Sequence, residues 1–113
     1  MKQIQAIIRP EKLDAAKDSL VAAGINGITV TTVRGFGKQL GYPEVYRGVK
    51  VEARLLPKLM LTMVVPDGSV DSVVSAIRSS AQTGEVGDGK IIISQVEQVI
   101  RIRTGETGDA SLV

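Results

Sequence analysis

The sequence predicts an α+β domain of the ferredoxin-like, split βαβ type, a βαββαβ sandwich with two helices packed on one sheet. Three observations predict it. Short runs alternate apolar and polar residues with the period of a strand. Two stretches between them carry apolar residues at helical spacing. The chain also repeats itself: Ile7-Ile8-Arg9-Pro10, a helix, Gly24 and a strand are echoed by Val64-Val65-Pro66-Asp67, a helix, Gly84 and a strand. A length of 113 residues holds one such domain, 1–113, and no second one.

The elements follow in order. Gln3 to Arg9 reads as a strand with Ile4, Ala6 and Ile8 on one face and Ile7 on the other. Pro10 opens a helix near its first turn, where Glu11 and Asp14 meet the positive end of the dipole. Leu13, Ala16, Leu20 and Ala23 form its apolar stripe, and Gly24 caps it. Ile28 to Phe36 is rich in Thr and Val, a second strand. Residues 37–57 carry no clear core element, although Val49, Val51 and Ala53 alternate like a strand extension. A loop that long in a small domain is functional or disordered. Lys58 to Val65 is a strand with Leu59, Leu61, Met63 and Val65 facing one way and Met60 and Val64 the other. Pro66 to Ser69 ends it and starts a helix with the stripe Val70, Val73, Val74, Ile77 and Ala81. Gly84, Gly87 and Gly89 mark a loop at about 83–90, Lys90 to Ser94 a strand, and Val99 to Arg103 another. From Thr104 the tail, within a C-terminal loop of about 103–113, is polar and Gly-rich and is expected to be mobile.

Composition narrows the chemistry. Hydrophobic residues make up 43% and charged residues 23%, the mix of a soluble globular protein. The sequence has no Cys, which removes thiol catalysis and Cys-ligated zinc, and no His, the commonest general base and metal ligand. No apolar run reaches the roughly 18 residues of a membrane span, and no leader pattern opens the sequence, so the cytoplasm is the expected compartment. The net charge of +2 does not by itself imply nucleic-acid binding. The charge is uneven, however. Residues 34–58 hold six bases (Arg34, Lys38, Arg47, Lys50, Arg54, Lys58) against two acids, and Phe36, Tyr42 and Tyr46 are the only aromatics. Two helices cover one face of a sheet, yet Ile7, Met60, Val64 and Ile92 lie on the other, which points to an oligomer closed through the sheets.

Four segments are candidates for binding. Gly84-Glu85-Val86-Gly87-Asp88-Gly89-Lys90 has the GxxxxGK of a P-loop, but Ile91 stands where Ser or Thr belongs, and the loop enters a strand instead of a helix. It reads either as a plain turn or as a cradle of N–H groups for an anion, with Lys90 adding charge. Arg101-Ile102-Arg103 on a strand puts two guanidinium groups on one face, suited to a polyphosphate or to a solvated edge. Gly35-Phe36-Gly37-Lys38-Gln39-Leu40-Gly41 has one residue too many for a dinucleotide fingerprint and reads as a hinge, whose Gln39 strand pairing can bring to Lys58. Tyr42, Tyr46 and Arg47 in the long loop are of the types that anchor interfaces.

These residues resemble the PII nitrogen-regulatory signal-transduction proteins from end to end. The matching pieces are Ala6-Ile7-Ile8-Arg9-Pro10, Gly35-Phe36-Gly37-Lys38-Gln39, Tyr46-Arg47-Gly48, Leu56-Pro57-Lys58, Thr83 through Lys90, and Arg101-Ile102-Arg103-Thr104-Gly105-Glu106. The resemblance implies a homotrimer of ferredoxin-like subunits with ATP and ADP competing for clefts between them. It implies that Lys90, Arg101 and Arg103 contact phosphates, that the backbone of Gly87, Asp88 and Gly89 cradles them, that Thr29 and Val64 lie near the base, and that Gly37 and Lys38 add contacts. It implies a 2-oxoglutarate site beside Mg-ATP, with Gln39 helping to hold the metal and Lys58 pairing with the distal carboxylate. The segment 37–57 corresponds to the family's T-loop, which addresses ammonium transporters or nitrogen-metabolism enzymes. Any membrane contact is then indirect, through a transporter partner.

Three positions depart from the family pattern. The nucleotidylated tyrosine falls at Val51 and a nearby phosphorylated position at Val49; neither side chain accepts a group, so no uridylylation is expected at position 51. Leu40 is apolar where many relatives carry a base. The expected function is therefore a non-enzymatic sensor of ATP/ADP and 2-oxoglutarate. The alternative is an adenine-nucleotide sensor that has lost 2-oxoglutarate. An ATPase lacks an obvious base, an RNA binder lacks aromatics on the internal sheet positions, and a purely structural oligomer leaves Lys90, Arg101 and Arg103 unexplained.

Overall fold

The computed structural model describes residues 1–36, 45–46, 49–50 and 55–112. Its main sheet has four antiparallel strands in the order β2-β5-β1-β6. These are β1 (Lys2–Ile8), β2 (Thr29–Gly35), β5 (Leu56–Val65) and β6 (Lys90–Gln95). A second sheet pairs β3 (Val45–Tyr46) with β4 (Val49–Lys50). Helix α1 spans Leu13–Ala22 and α2 spans Val70–Ala81. Each is entered through a short 3-10 turn, at Pro10–Lys12 and Asp67–Ser69. The α+β architecture and the split βαβ order are those expected.

The strand alternation decides what is buried. Ile4, Ala6 and Ile8 of β1 and Leu61, Met63 and Val65 of β5 face the helices and are buried, because β1 is paired on both edges and covered on that face. Ala16 and Leu20 of α1 meet them, with Val73, Ile77 and Ala81 of α2. The register places Ala6 opposite Leu61 on one side and Ile91 on the other. Helix α1 closes with the Gly24 N–H donating to Val21 O and the Ile25 N–H to Leu20 O, the cap that Gly24 predicts.

The opposite face carries Gln3, Gln5 and Ile7 of β1, Lys58, Met60, Thr62 and Val64 of β5, and Lys90, Ile92 and Ser94 of β6. Ile7, Met60 and Val64 are half-buried, and Ile92 is 43% exposed. It is thus a mixed face, apolar positions interleaved with amides, hydroxyls and two lysines.

Three expectations are corrected. The third long strand starts at Leu56, so the end of the loop expected over 37–57 belongs to β5, where Leu56 pairs with Gly35 and Pro57 with Arg34. Val99 to Arg103 is not a strand. A single bridge joins Ile100 to Thr107, and residues 102–104 turn. The Val-Ile-Arg-Ile-Arg alternation looks like a strand, but the segment turns back on itself. The Arg101 N–H donates to Glu106 O at 2.8 Å and the Gly105 N–H to Arg101 O at 2.7 Å. The tail is also more than a loose polar end. It forms a 3-10 turn over Gly108–Leu112, and Arg101 Nη2 donates to the carbonyls of Ala110 and Ser111.

Candidate functional site

The glycine-rich loop joins α2 to β6, and its shape is set by one carboxylate. Asp88 accepts from the Thr83 N–H at 2.8 Å, the Gly84 N–H at 2.9 Å, the Thr83 hydroxyl, and Arg9 Nε at 3.1 Å. The Thr83 hydroxyl oxygen in turn accepts from the Glu85 N–H. The Thr83 hydroxyl and N–H, followed by the Gly84 N–H and Arg9, hold the Asp88 carboxyl well below the usual carboxylate range. A carboxylate with this many donors is a fixed anion that organises the loop.

Two cations from the sheet hold the middle of the loop. Arg9, just past β1, also donates through Nη2 to Val86 O at 2.9 Å. Lys58, near the start of β5, donates through Nζ to Gly87 O at 2.6 Å. Burial lowers the Lys58 pKa, and the charge of Arg9 lowers it further, while Glu11 and Asp88 act the other way. Gly89 then packs against β1: a Cβ placed on it would lie 1.7 Å from Ile7 O, and its φ is +96°. No other residue fits there. Lys90 follows as the first residue of β6, opposite Ile7, with its side chain exposed on the sheet face away from the helices. Asp88, Gly89 and Lys90 also line a groove of about 430 Å³ whose far wall is α2, including Ile77, Arg78 and Ala81.

A second group gathers at the other edge of the sheet. Thr29 opens β2 opposite Thr62, and both line a depression of about 370 Å³ with Val64, Asp109, Ser111 and Leu112. Arg101 reaches this region through its bonds to Ala110 and Ser111 and its ion pair with Glu106 at 3.3 Å. Arg103 is exposed on the turn beyond. Because 101–104 is not a strand, no strand register aligns Arg101 and Arg103.

The structure therefore brings Lys58, Gly87, Asp88, Gly89 and Lys90 together, and Thr29 and Val64 together with the tail that carries Arg101. It does not join the two groups within one chain. Lys90 and Thr29 stand on opposite edge strands with β1 and β5 between them, three strand spacings, or about 14 Å. Gly37, Lys38, Gln39, Tyr42 and Arg47 lie outside the described residues, and Tyr46 enters only as a backbone position of β3. Sequence reasoning missed Arg9 as a site residue. Its one signal was its place in the block Ala6-Ile7-Ile8-Arg9-Pro10, since nothing in the linear sequence links it to Asp88, 79 residues on.

The four-stranded antiparallel sheet with two helices on one face, and a glycine loop braced between α2 and β6, place the chain among the α+β proteins of ferredoxin-like fold. Comparison with known proteins makes this specific. The family model for nitrogen regulatory protein P-II matches residues 1–106, and the chain belongs to that family. It is 59% identical over 108 residues to nitrogen regulatory protein P-II 2 of Methanothermobacter thermautotrophicus, covering 96% of this chain and 94% of the relative. It is 53% identical over 108 residues to the P-II protein of Mesorhizobium japonicum, 96% of each chain. It is 52% identical over 112 residues to P-II 1 of Escherichia coli K12, 99% of this chain and all of the relative.

Proposed function

We propose that this member of the nitrogen regulatory P-II family is a non-enzymatic sensor. It works as a homotrimer, binds ATP or ADP between subunits, and binds 2-oxoglutarate beside Mg-ATP. It reports the outcome to an ammonium transporter or a nitrogen-metabolism enzyme through the segment 37–57. The observation that carries the reading is the loop 83–90, framed by Asp88, Arg9 and Lys58 and ending on Lys90. Backbone donors of a loop braced in this way, with the Lys90 ammonium at its end, are what a phosphate group requires.

The separation of Lys90 from Thr29, Val64 and Arg101 supports a site shared between subunits. One subunit then supplies the loop and Lys90, and its neighbour supplies Thr29, Val64, Arg101 and Arg103. Among the described residues no three His, Cys, Asp or Glu side chains are grouped to hold a metal. A magnesium ion would come with the nucleotide, and the Gln39 side chain would help to hold it there. Lys58 is placed for the carboxylate of 2-oxoglutarate, and Gly37 and Lys38 complete the nucleotide contacts. No helix among the described residues is long and apolar enough to cross a membrane, and the cytoplasm is the proposed compartment.

Mg-ATP and 2-oxoglutarate then favour each other by the same factor, as linkage requires. Calorimetric titration of 2-oxoglutarate with Mg-ATP, with Mg-ADP and without nucleotide tests this. Binding with Mg-ATP alone is expected. ATP binding with no 2-oxoglutarate effect would leave an adenylate sensor and remove the roles given to Gln39 and Lys58. No nucleotide binding would overturn the reading.

A further inference from the structure

We propose that Arg9 is a positioning residue of the anion site: by holding the Val86 carbonyl and the Asp88 carboxylate while Lys58 holds the Gly87 carbonyl, it turns the N–H groups of Gly87 and Asp88 to the opposite side of the loop, toward the ligand. The inference rests on the proposed nucleotide site and adds a residue that does not itself touch the nucleotide.

The argument is one of peptide geometry. In a trans peptide the carbonyl of one residue and the N–H of the next point in opposite directions. All peptide bonds described here are trans. Val86 O points at Arg9 Nη2 and Gly87 O at Lys58 Nζ. Arg9 and Lys58 are neighbours, because Ile8 at the end of β1 pairs with Leu59, and in an antiparallel pair the residue after Ile8 lies opposite the residue before Leu59. Two successive carbonyls therefore face the same side. In an extended strand they would alternate. Here Gly87 has φ +105°, which lets two consecutive peptide units align. The N–H groups of Gly87 and Asp88 then point together away from the two cations, the concave arrangement of amides that binds anions. The Gly87 N–H donates to no acceptor among the described residues, while the turn over Val86–Gly87 directs the Asp88 N–H back toward Glu85 O.

Arg9 is suited to this work. Its planar fork bridges two acceptors of different kinds, a carboxylate and a carbonyl, in a fixed geometry that a flexible ammonium does not reproduce. The carboxylate is itself locked to Thr83 and Gly84, so Arg9 ties the whole turn to the end of β1.

The test uses the full-length protein with R9Q and R9K. ATP affinity is measured by calorimetry, and the amide 15N shifts and hydrogen exchange of residues 84–89 by NMR without nucleotide. R9Q is expected to shift and deprotect the loop amides while leaving those of α1 and α2 in place, and to raise the ATP Kd about ten-fold. R9K keeps the charge but only one of the two bonds, and is expected to give an intermediate Kd and intermediate shifts. Loop amides unchanged in R9Q would overturn the inference, whatever the nucleotide does. Perturbed amides with an unchanged ATP Kd would also overturn it. If the wild-type protein binds no ATP, the sensor reading fails, and the amide shifts still decide whether Arg9 sets the loop.

Discussion

Gly89→Ala is the sharpest perturbation available. The new Cβ would sit 1.7 Å from Ile7 O and 2.7 Å from Ile7 C, so the loop must retreat by about 1.3 Å to reach 3.0 Å. Ile7 cannot give way, since it belongs to the central strand and is paired with Met60 on one side and Lys90 on the other. The retreat therefore opens the first pair of β6. A left-handed alanine costs about 1–2 kcal/mol, and each lost ladder bond about 0.5–1.5 kcal/mol. The sum is about 3 kcal/mol, which at roughly 4 °C per kcal/mol for a domain of this size is about 12 °C in Tm. Gly84→Ala is the internal control. It has φ +88°, and a Cβ there meets nothing within 4 Å. It carries the conformational cost alone, about 1–2 kcal/mol, or at that rate a fall of about 4–8 °C. Thermal unfolding followed by circular dichroism at one fixed protein concentration compares them, so that assembly does not shift the result. Equal falls in Tm for the two variants would refute the reasoning, because the clash with Ile7 would then cost nothing.

Three further outcomes follow from the same structure. Leu61→Ala removes a fully buried side chain of β5 from the core and should cost about 2–5 kcal/mol, whereas Ile102→Ala, at 101% exposure, should stay within about 0.5 kcal/mol by denaturant titration. Lys90→Ala should weaken ATP by about 10- to 100-fold in calorimetry, the loss of one charged hydrogen bond of about 1.5–3 kcal/mol; an unchanged Kd would remove Lys90 from the site. Asp88 has a depressed folded-state pKa, so its stabilisation is fully present above the unfolded value near 4 and is lost as pH falls through the folded value. Acid unfolding between about pH 4 and 2 should accordingly be less steep in Asp88→Asn than in the wild type, and identical slopes would show that Asp88 contributes nothing there.

The core was legible in the sequence because its periods are unambiguous. Ile4, Ala6 and Ile8 alternate, as do Leu61, Met63 and Val65, and the whole buried set follows from those faces meeting two helical stripes. The segment Val99 to Arg103 shows the limit of that logic. It has the same alternation, but alternation specifies a strand only where another strand is present to pair with, and here the turn through Gly105 and the bridge Ile100–Thr107 satisfy its backbone locally. The loop was half legible. Its glycines and Lys90 announce a backbone cradle, yet the role of the Asp88 side chain depends on Thr83 and on Arg9, and the pairing with Arg9 is a long-range fact of strand order. Lys58 was read as a ligand contact through the family resemblance. The structure adds a bond to Gly87 O that no spacing rule predicts.

The division of the predicted site between two edges of the sheet has an energetic consequence for the proposed trimer. A heterologous ring closes when one edge of each subunit meets a different edge of the next. Here the β6 edge offers Lys90 and the glycine loop, and the β2 edge offers Thr29 with Val64 and the tail beside it. A nucleotide spanning the two is part of the contact between subunits, so its binding energy is also assembly energy. The same coupling runs in reverse. On the proposed reading a subunit alone would present half of the phosphate contacts and hold nucleotide weakly, and joining the ring would supply the rest. Lys58 stands between these two equilibria. Bonded to Gly87 O it braces the loop that faces the phosphates, and the carboxylate proposed for 2-oxoglutarate would compete for the same ammonium. An acid that draws Lys58 away from Gly87 would have to be offset by other contacts to the loop, and on the proposed reading the metal and phosphates of ATP would supply them more fully than ADP. On this reading the bond from Lys58 Nζ to Gly87 O is a cost that 2-oxoglutarate meets in either state, and the preference for the ATP-loaded state lies in the contacts that offset it.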